Sequence, residues 1–147
     1  AKQRALVARL CQGAVGRARS FDLASYTAAR SHALIVLTTA LRSADHSELF
    51  KITETYRAGA EGRQKTEQLL HALYSLLQDL RFLSSGTADL VRNTDIQGEL
   101  KKLSEAADFS WIVRAAEGLN EVERGMRRNL LRSLSLDALA TTLEPSA

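Results

Sequence analysis

The residues of this sequence that could do chemistry are three histidines, one cysteine, a scatter of acids and a run of arginines. His32, His46 and His71 fall on three different predicted elements. A metal site on helices needs ligands that share a face, as in His-x-x-x-His or Glu-x-x-His, and neither spacing occurs here. The Gly-x-x-x-x-Gly-Lys-Ser/Thr phosphate loop is also missing, and no strand precedes Gly13-Ala14-Val15-Gly16 as a dinucleotide fingerprint requires. Cys11 would need a histidine or a helix N-terminus to become a thiolate. It sits instead near the end of a predicted helix, where the dipole opposes negative charge, and reads as a buried structural thiol. Glu99, Glu105, Glu117, Glu121 and Glu123 alternate with lysines and arginines on helical faces, as solvated surface acids do. The expectation is a chain with no catalytic residue, no metal and no cofactor of its own.

One cluster has two readings. Arg124, Arg127, Arg128 and Arg132 crowd the junction of two predicted helices. Cations there can satisfy the last carbonyls of the preceding helix, or they can form a docking patch for an acidic partner.

The elements that must position these residues are helical. The one proline is Pro145, helix formers dominate, and no segment alternates apolar with polar as a half-buried strand would. A first helix is expected over residues 2–12, with Leu6 and Leu10 on one face and Gly13 as its break. A short piece covers residues 13–21. Asp22 then caps a long helix over 22–44, in which Leu23, Tyr26, Leu34, Leu37 and Leu41 form one stripe while Ala29, Ala33, Val36 and Ala40 form a small-residue side. Asp45 and Glu48 read as a capping-box variant opening a helix that ends near Gly59, and 59–62 is the clearest interior break. After it, Leu69, Leu70, Leu73, Leu76, Leu77, Leu80 and Leu83 mark the central core helix. Ser84-Ser85-Gly86 ends it and a polar loop runs to Asp95. Thr94 and Gln97 have capping-box spacing for a short helix bearing Leu100 and Leu103, and Asp108 can cap a helix carrying Phe109, Ile112, Ala116, Leu119, Val122 and Met126. Asn129 can cap a last helix over 130–143 whose leucines make a wide apolar surface, a candidate for binding a partner. The whole reads as one all-α bundle of about five to seven helices.

Of 147 residues, 45% are hydrophobic and 25% charged, enough to bury a core and too apolar for disorder. The net charge of +3 is modest for a domain that grips phosphates for a living. Much of it is local: Lys2, Arg4, Arg9, Arg17, Arg19 and Arg30 face one acid, Asp22, in the first thirty positions, so the opening segment could meet something acidic. A single cysteine rules out an internal disulfide and fits a reducing cytoplasm, and no apolar stretch reaches membrane-spanning length. The chain begins at Ala1, as a piece of a longer parent would.

Three stretches carry a family resemblance. Leu10-Cys11-Gln12-Gly13-Ala14-Val15-Gly16-Arg17-Ala18 resembles the end of the lid in clamp-loader AAA+ subunits, where delta-prime members carry Gly-x-Pro-Gly-x-Ala-Leu; Val15 stands at the proline position and Arg19 at the leucine. In ATP-hydrolysing gamma/tau relatives the stretch reads Gly-Ser-x-Arg-Asp-Ala-Leu, and the position of its nucleotide-sensing arginine is Gly16 here. That favours the delta-prime branch, with Arg17 next door as the nucleotide-proximal candidate. Asp89-Leu90-Val91-Arg92-Asn93-Thr94-Asp95 resembles the family's loop between collar helices. Residues 129–137 resemble Asn-x-Asn-x-x-Leu-x-Leu-Glu, with Asn129, Leu134, Leu136 and Asp137 in place and Leu131 at the second asparagine.

The resemblance implies that residues 1–21 are the end of the AAA+ lid region and 22–147 the helical collar through which clamp-loader subunits of bacterial DNA polymerase III join into a ring. Partners would be the gamma/tau and delta subunits, with DNA met only through the assembled complex and no small-molecule substrate. Upstream AAA+ parts would supply the arginine finger, and the loader would place the sliding clamp on primed DNA. Contacts are expected at Arg127, Arg128, Asn129, Leu130, Leu134 and Asp137. The rivals are the collar of a gamma/tau or delta sibling and a regulatory helical adaptor unrelated to replication.

Overall fold

The computed structural model describes residues 1–42 and 60–127 together with Leu139 and Leu143. Within them lie six α-helices and no strand. They are α1 (Lys2–Leu10), α2 (Val15–Arg19), α3 (Leu23–Arg42), α4 (Ala60–Ser84), α5 (Gln97–Ala106) and α6 (Phe109–Arg127). Two 3-10 turns, Ala88–Leu90 and Thr94–Ile96, shape the loop between α4 and α5. The all-α bundle expected from the sequence is what the chain forms.

α4 is the axis, packed against α3, α5 and α6. Its leucines explain why: Leu69, Leu70, Leu73, Leu76, Leu77 and Leu80 are all buried, which gives one helix an apolar surface wide enough for three neighbours. On α3 the small-residue side is buried as deeply as the larger stripe. Ala29, Ala33, Val36 and Ala40 are lost to solvent together with Leu37, whereas Leu34 and Ile35 are only half-buried. Short side chains let a helix backbone approach its neighbour closely, so the alanines make a buried packing face of α3.

Helix ends follow local chemistry. α1 stops where Gln12 (φ 55°) and Gly13 (φ 76°) turn left-handed, and the Gly13 amide donates back to the Ala8 carbonyl at 3.0 Å. α4 ends in the same way at Gly86 (φ 76°), with the Thr87 amide returning to the Phe82 carbonyl at 2.9 Å. Asp22 caps α3 through the Ser25 amide (3.1 Å) and hydroxyl (2.6 Å), and Asp108 caps α6 through the Trp111 amide (2.7 Å) and the Ser110 hydroxyl (2.9 Å). The hydrogen bonds from Ser25 hold the Asp22 carboxyl below its usual range, and the Trp111 amide does so foremost for Asp108.

These depressed values set a pH dependence. A carboxylate whose folded pKa lies below its unfolded one adds stability above the unfolded value and loses it as pH falls through the folded one. Asp22→Ala and Asp108→Ala should therefore each lower the melting temperature at pH 7, and the gap to wild type should close as pH drops below the normal carboxylate range. Thermal melts by circular dichroism across pH 2–7 check this, and a gap that persists unchanged at the acid end would refute the capping role.

Several expectations need correction. No capping box forms at Thr94 and Gln97; the 3-10 turn Thr94–Ile96 leads into α5, whose N-cap position is Ile96. The break expected over 59–62 is displaced, since α4 already starts at Ala60 and Gly62 sits in its first turn, where the amides lack intrahelical partners in any case. Phe109 fits the helical spacing of α6 yet is 62% exposed, because Trp111, Ile112, Ala115 and Leu119 make the buried face. The leucine surface of 130–143 is at least partly used internally: Leu139 and Leu143 are buried against Val36, Leu37, Leu73, Leu77, Ala115 and Leu119. The Leu143 carbonyl accepts from the Trp111 indole at 2.8 Å, and Leu139 lies directly over Gly118, where a Cβ would stand 2.5 Å from its methyl. The expected helix at Asp45 and Glu48 falls outside the described residues.

Candidate functional site

The loop with the family resemblance, 89–95, is not a free loop. Asp79, on the inner side of α4 and without solvent exposure, accepts from the Arg92 amide (3.0 Å), the Asn93 amide (2.9 Å) and the Asn93 side-chain amide (2.7 Å). Asn93, equally buried, turns its Oδ1 toward α3, where it accepts from the Tyr26 hydroxyl (2.8 Å) and from Arg30 (3.1 Å). Ser75 completes the set, accepting from the Asn93 amide and meeting the Tyr26 hydroxyl, each at 3.1 Å. Tyrosine has one proton to give, so with that proton on Asn93 the Ser75 hydroxyl donates to Tyr26.

Asn93 is thus a neutral bridge between a buried carboxylate and a buried guanidinium. Arg30 also forks onto the Asp95 carboxylate at 2.8 and 2.6 Å, and its guanidinium carbon lies 5.8 Å from the Tyr26 ring centre. The fork fixes geometry as well as charge, which lysine could not do. Burial pushes the Tyr26 hydroxyl above the usual phenol range, against the lowering effect of its hydrogen bonds to Ser75 and Asn93. The arrangement is a fully paired polar clasp that holds the loop to α3 and α4. Its groups donate to and accept from one another.

The same loop holds the N-terminal hairpin of α1 and α2. Arg9 donates to the carbonyls of Asp89 (3.1 Å) and Val91 (2.8 Å), and the Gln12 amide, turned with its oxygen toward Arg92, accepts from that guanidinium at 2.9 and 3.1 Å. Leu6 and Cys11 are the buried residues of this hairpin. Two of the cations that crowd the first thirty positions, Arg9 and Arg30, are therefore spent on the chain's own loop and not on an outside partner.

Between the hairpin and α4 lies a groove of about 430 Å³ that takes in Arg17, Cys11, Phe21, Tyr26, His71 and Arg92. Cys11 is a free, buried thiol there. His71 is exposed and stands edge-on to the Tyr26 ring at 6.1 Å. Among the described residues no group of three His, Cys, Asp or Glu side chains converges on a point that could hold a metal. Nor is any described helix long and apolar enough to cross a membrane.

The sequence-based contact residues separate. Arg17 lies exposed on α2 and lines the groove. Arg124 is exposed on α6 and Arg127 closes that helix. Arg128, Asn129, Leu130, Leu134 and Asp137 lie outside the described residues, as do Arg132 and His46. The clasp of Tyr26, Arg30, Ser75, Asp79 and Asn93 is not evident from the sequence. One signal was available: Asp79 continues the stripe of Ala72 and Leu76, an acid on the inner face of the most apolar helix.

Compared with protein-family models, curated proteins and solved structures, the chain returns no match.

Proposed function

We propose that this chain is the C-terminal assembly part of a delta-prime clamp-loader subunit of DNA polymerase III, a cytoplasmic piece that joins sister subunits into a ring and performs no catalytic step. The observation that carries the reading is the clasp. The stretch resembling the family's inter-helix loop is pinned by Asp79 and Asn93, and the lid-like hairpin is tied to that same loop through Arg9 and Gln12. A domain meant for attachment has to hold its neighbouring domain in a fixed attitude, and paired, buried polar contacts supply direction where apolar packing alone would let surfaces slide.

In this reading ATP binding and hydrolysis belong to gamma/tau siblings, the arginine finger to the parent's upstream region, and DNA is met only by the assembled loader. Arg127, the last residue of α6, and Arg128, Asn129, Leu130, Leu134 and Asp137 after it in the sequence would make the contacts with sister subunits.

Co-expression of the chain with gamma/tau and delta subunits tests the proposal. The expected result is co-elution in one complex by size exclusion. Charge reversal at Arg127 and Arg128 should weaken that association by about tenfold in calorimetry, the scale of a lost charged contact at an interface. A chain that elutes alone beside every loader subunit would remove the assignment.

A further inference from the structure

The groove between the hairpin and α4 has an electrostatic character that the assembly role does not use. Arg17 makes no side-chain hydrogen bond or ion pair among the described residues, and Arg92 is paired only with the neutral amide of Gln12. Asp22 is the one carboxylate among the described lining residues, and both of its oxygens are engaged by Ser25. Two guanidiniums against that one carboxylate leave the groove with a net positive charge, which attracts and orients negative charge.

Its shape and remaining polar groups narrow the class of ligand. One wall is a stripe of α4 from Gln68 to Gln78, and ten residues of helix rise about 15 Å. That length accommodates about four or five residues of extended chain. The amides of Gln68 and Gln78 each present both a donor and an acceptor, the pairing that peptide groups need, whereas a phosphate uses donors alone. Phe21 and Tyr74 add ring surface for an apolar side chain between the charges.

We infer that this groove takes a short, extended, acidic peptide segment of a partner protein, its carboxylates on Arg17 and Arg92 and its main chain on the glutamine amides. The inference stands on the groove itself and does not depend on which complex the chain joins.

A displayed library of random heptapeptides, panned on the whole chain, tests it. Enrichment of peptides rich in Asp and Glu is expected. Arg17→Glu and Gln78→Glu should each weaken the recovered peptides by about tenfold, as like charges at an interface do. Both positions are exposed, and unchanged helical circular dichroism would confirm that the variants fold. The proposal is overturned if no acidic peptide is enriched, or if the enriched peptides bind both variants as tightly as wild type. Inorganic phosphate shifting the groove's amide resonances without any peptide enrichment would also overturn it, marking a site for small anions.

Discussion

Replacing Asp79 with alanine should cost about 3 kcal/mol or more of unfolding free energy, the scale of leaving several buried donors without their acceptor. The Arg92 amide, the Asn93 amide and the Asn93 side chain would all lose their acceptor inside the bundle. Each buried donor left unmet costs about 1–3 kcal/mol. Arg30 would keep its fork to Asp95 but would lose the buried carboxylate that faces it across Asn93. Urea unfolding followed by circular dichroism measures the effect. Asp79→Asn keeps the shape and one acceptor, so it should fall between wild type and alanine. A loss below about 1 kcal/mol for alanine would mean that water replaces the carboxylate easily, and that the loop is not held as described.

Leu73→Ala should be comparably severe, at about 2–5 kcal/mol. Leu73 is 1% exposed and meets Val36, Leu37, Leu77, Ala115, Leu119, Leu139 and Leu143 around a space too small for a water molecule. Removing its branched end opens a void that the surrounding helices can close only by shifting together. Trp111 is tied to the same region through the Leu143 carbonyl, so its fluorescence should follow the unfolding curve. An unfolding midpoint indistinguishable from wild type would show that α3, α6 and the C-terminal leucines do not meet at this residue.

The two predictions also mark where sequence reasoning reached and where it stopped. The leucines of α4 are legible because their spacing is a local property of the helix, and all of them from Leu69 to Leu80 are buried as that spacing requires, with Leu83 half-buried at the end. Asp22 and Asp108 are legible for the same reason, since a cap and the amide it serves are three residues apart. The clasp is of another kind. Asn93 stands 14 residues from Asp79, 63 from Arg30 and 67 from Tyr26, and no periodicity links such positions. Thr94 and Gln97 misled because the spacing of a capping box says nothing about whether the loop before it tightens into a 3-10 turn. Phe109 misled because it opens the helix at the margin of the stripe that buries Ile112 and Leu119, and Trp111 and Ala115 complete the buried face in its place. Leu139 and Leu143, two leucines of a stripe expected to face a partner, are buried in the bundle, while the rest of that stripe lies outside the described residues.

Cys11 gives the molecule a built-in chemical clock. The residue is 4% exposed within a hairpin tied down chiefly by Arg9 and Gln12, so a thiol-trapping reagent reaches it fastest when that hairpin lifts. When reclosing outruns trapping, the capture rate scales with the fraction of time spent lifted. The lone thiol thus reports how firmly the first twenty residues are seated, separately from the melting of the helices beneath them.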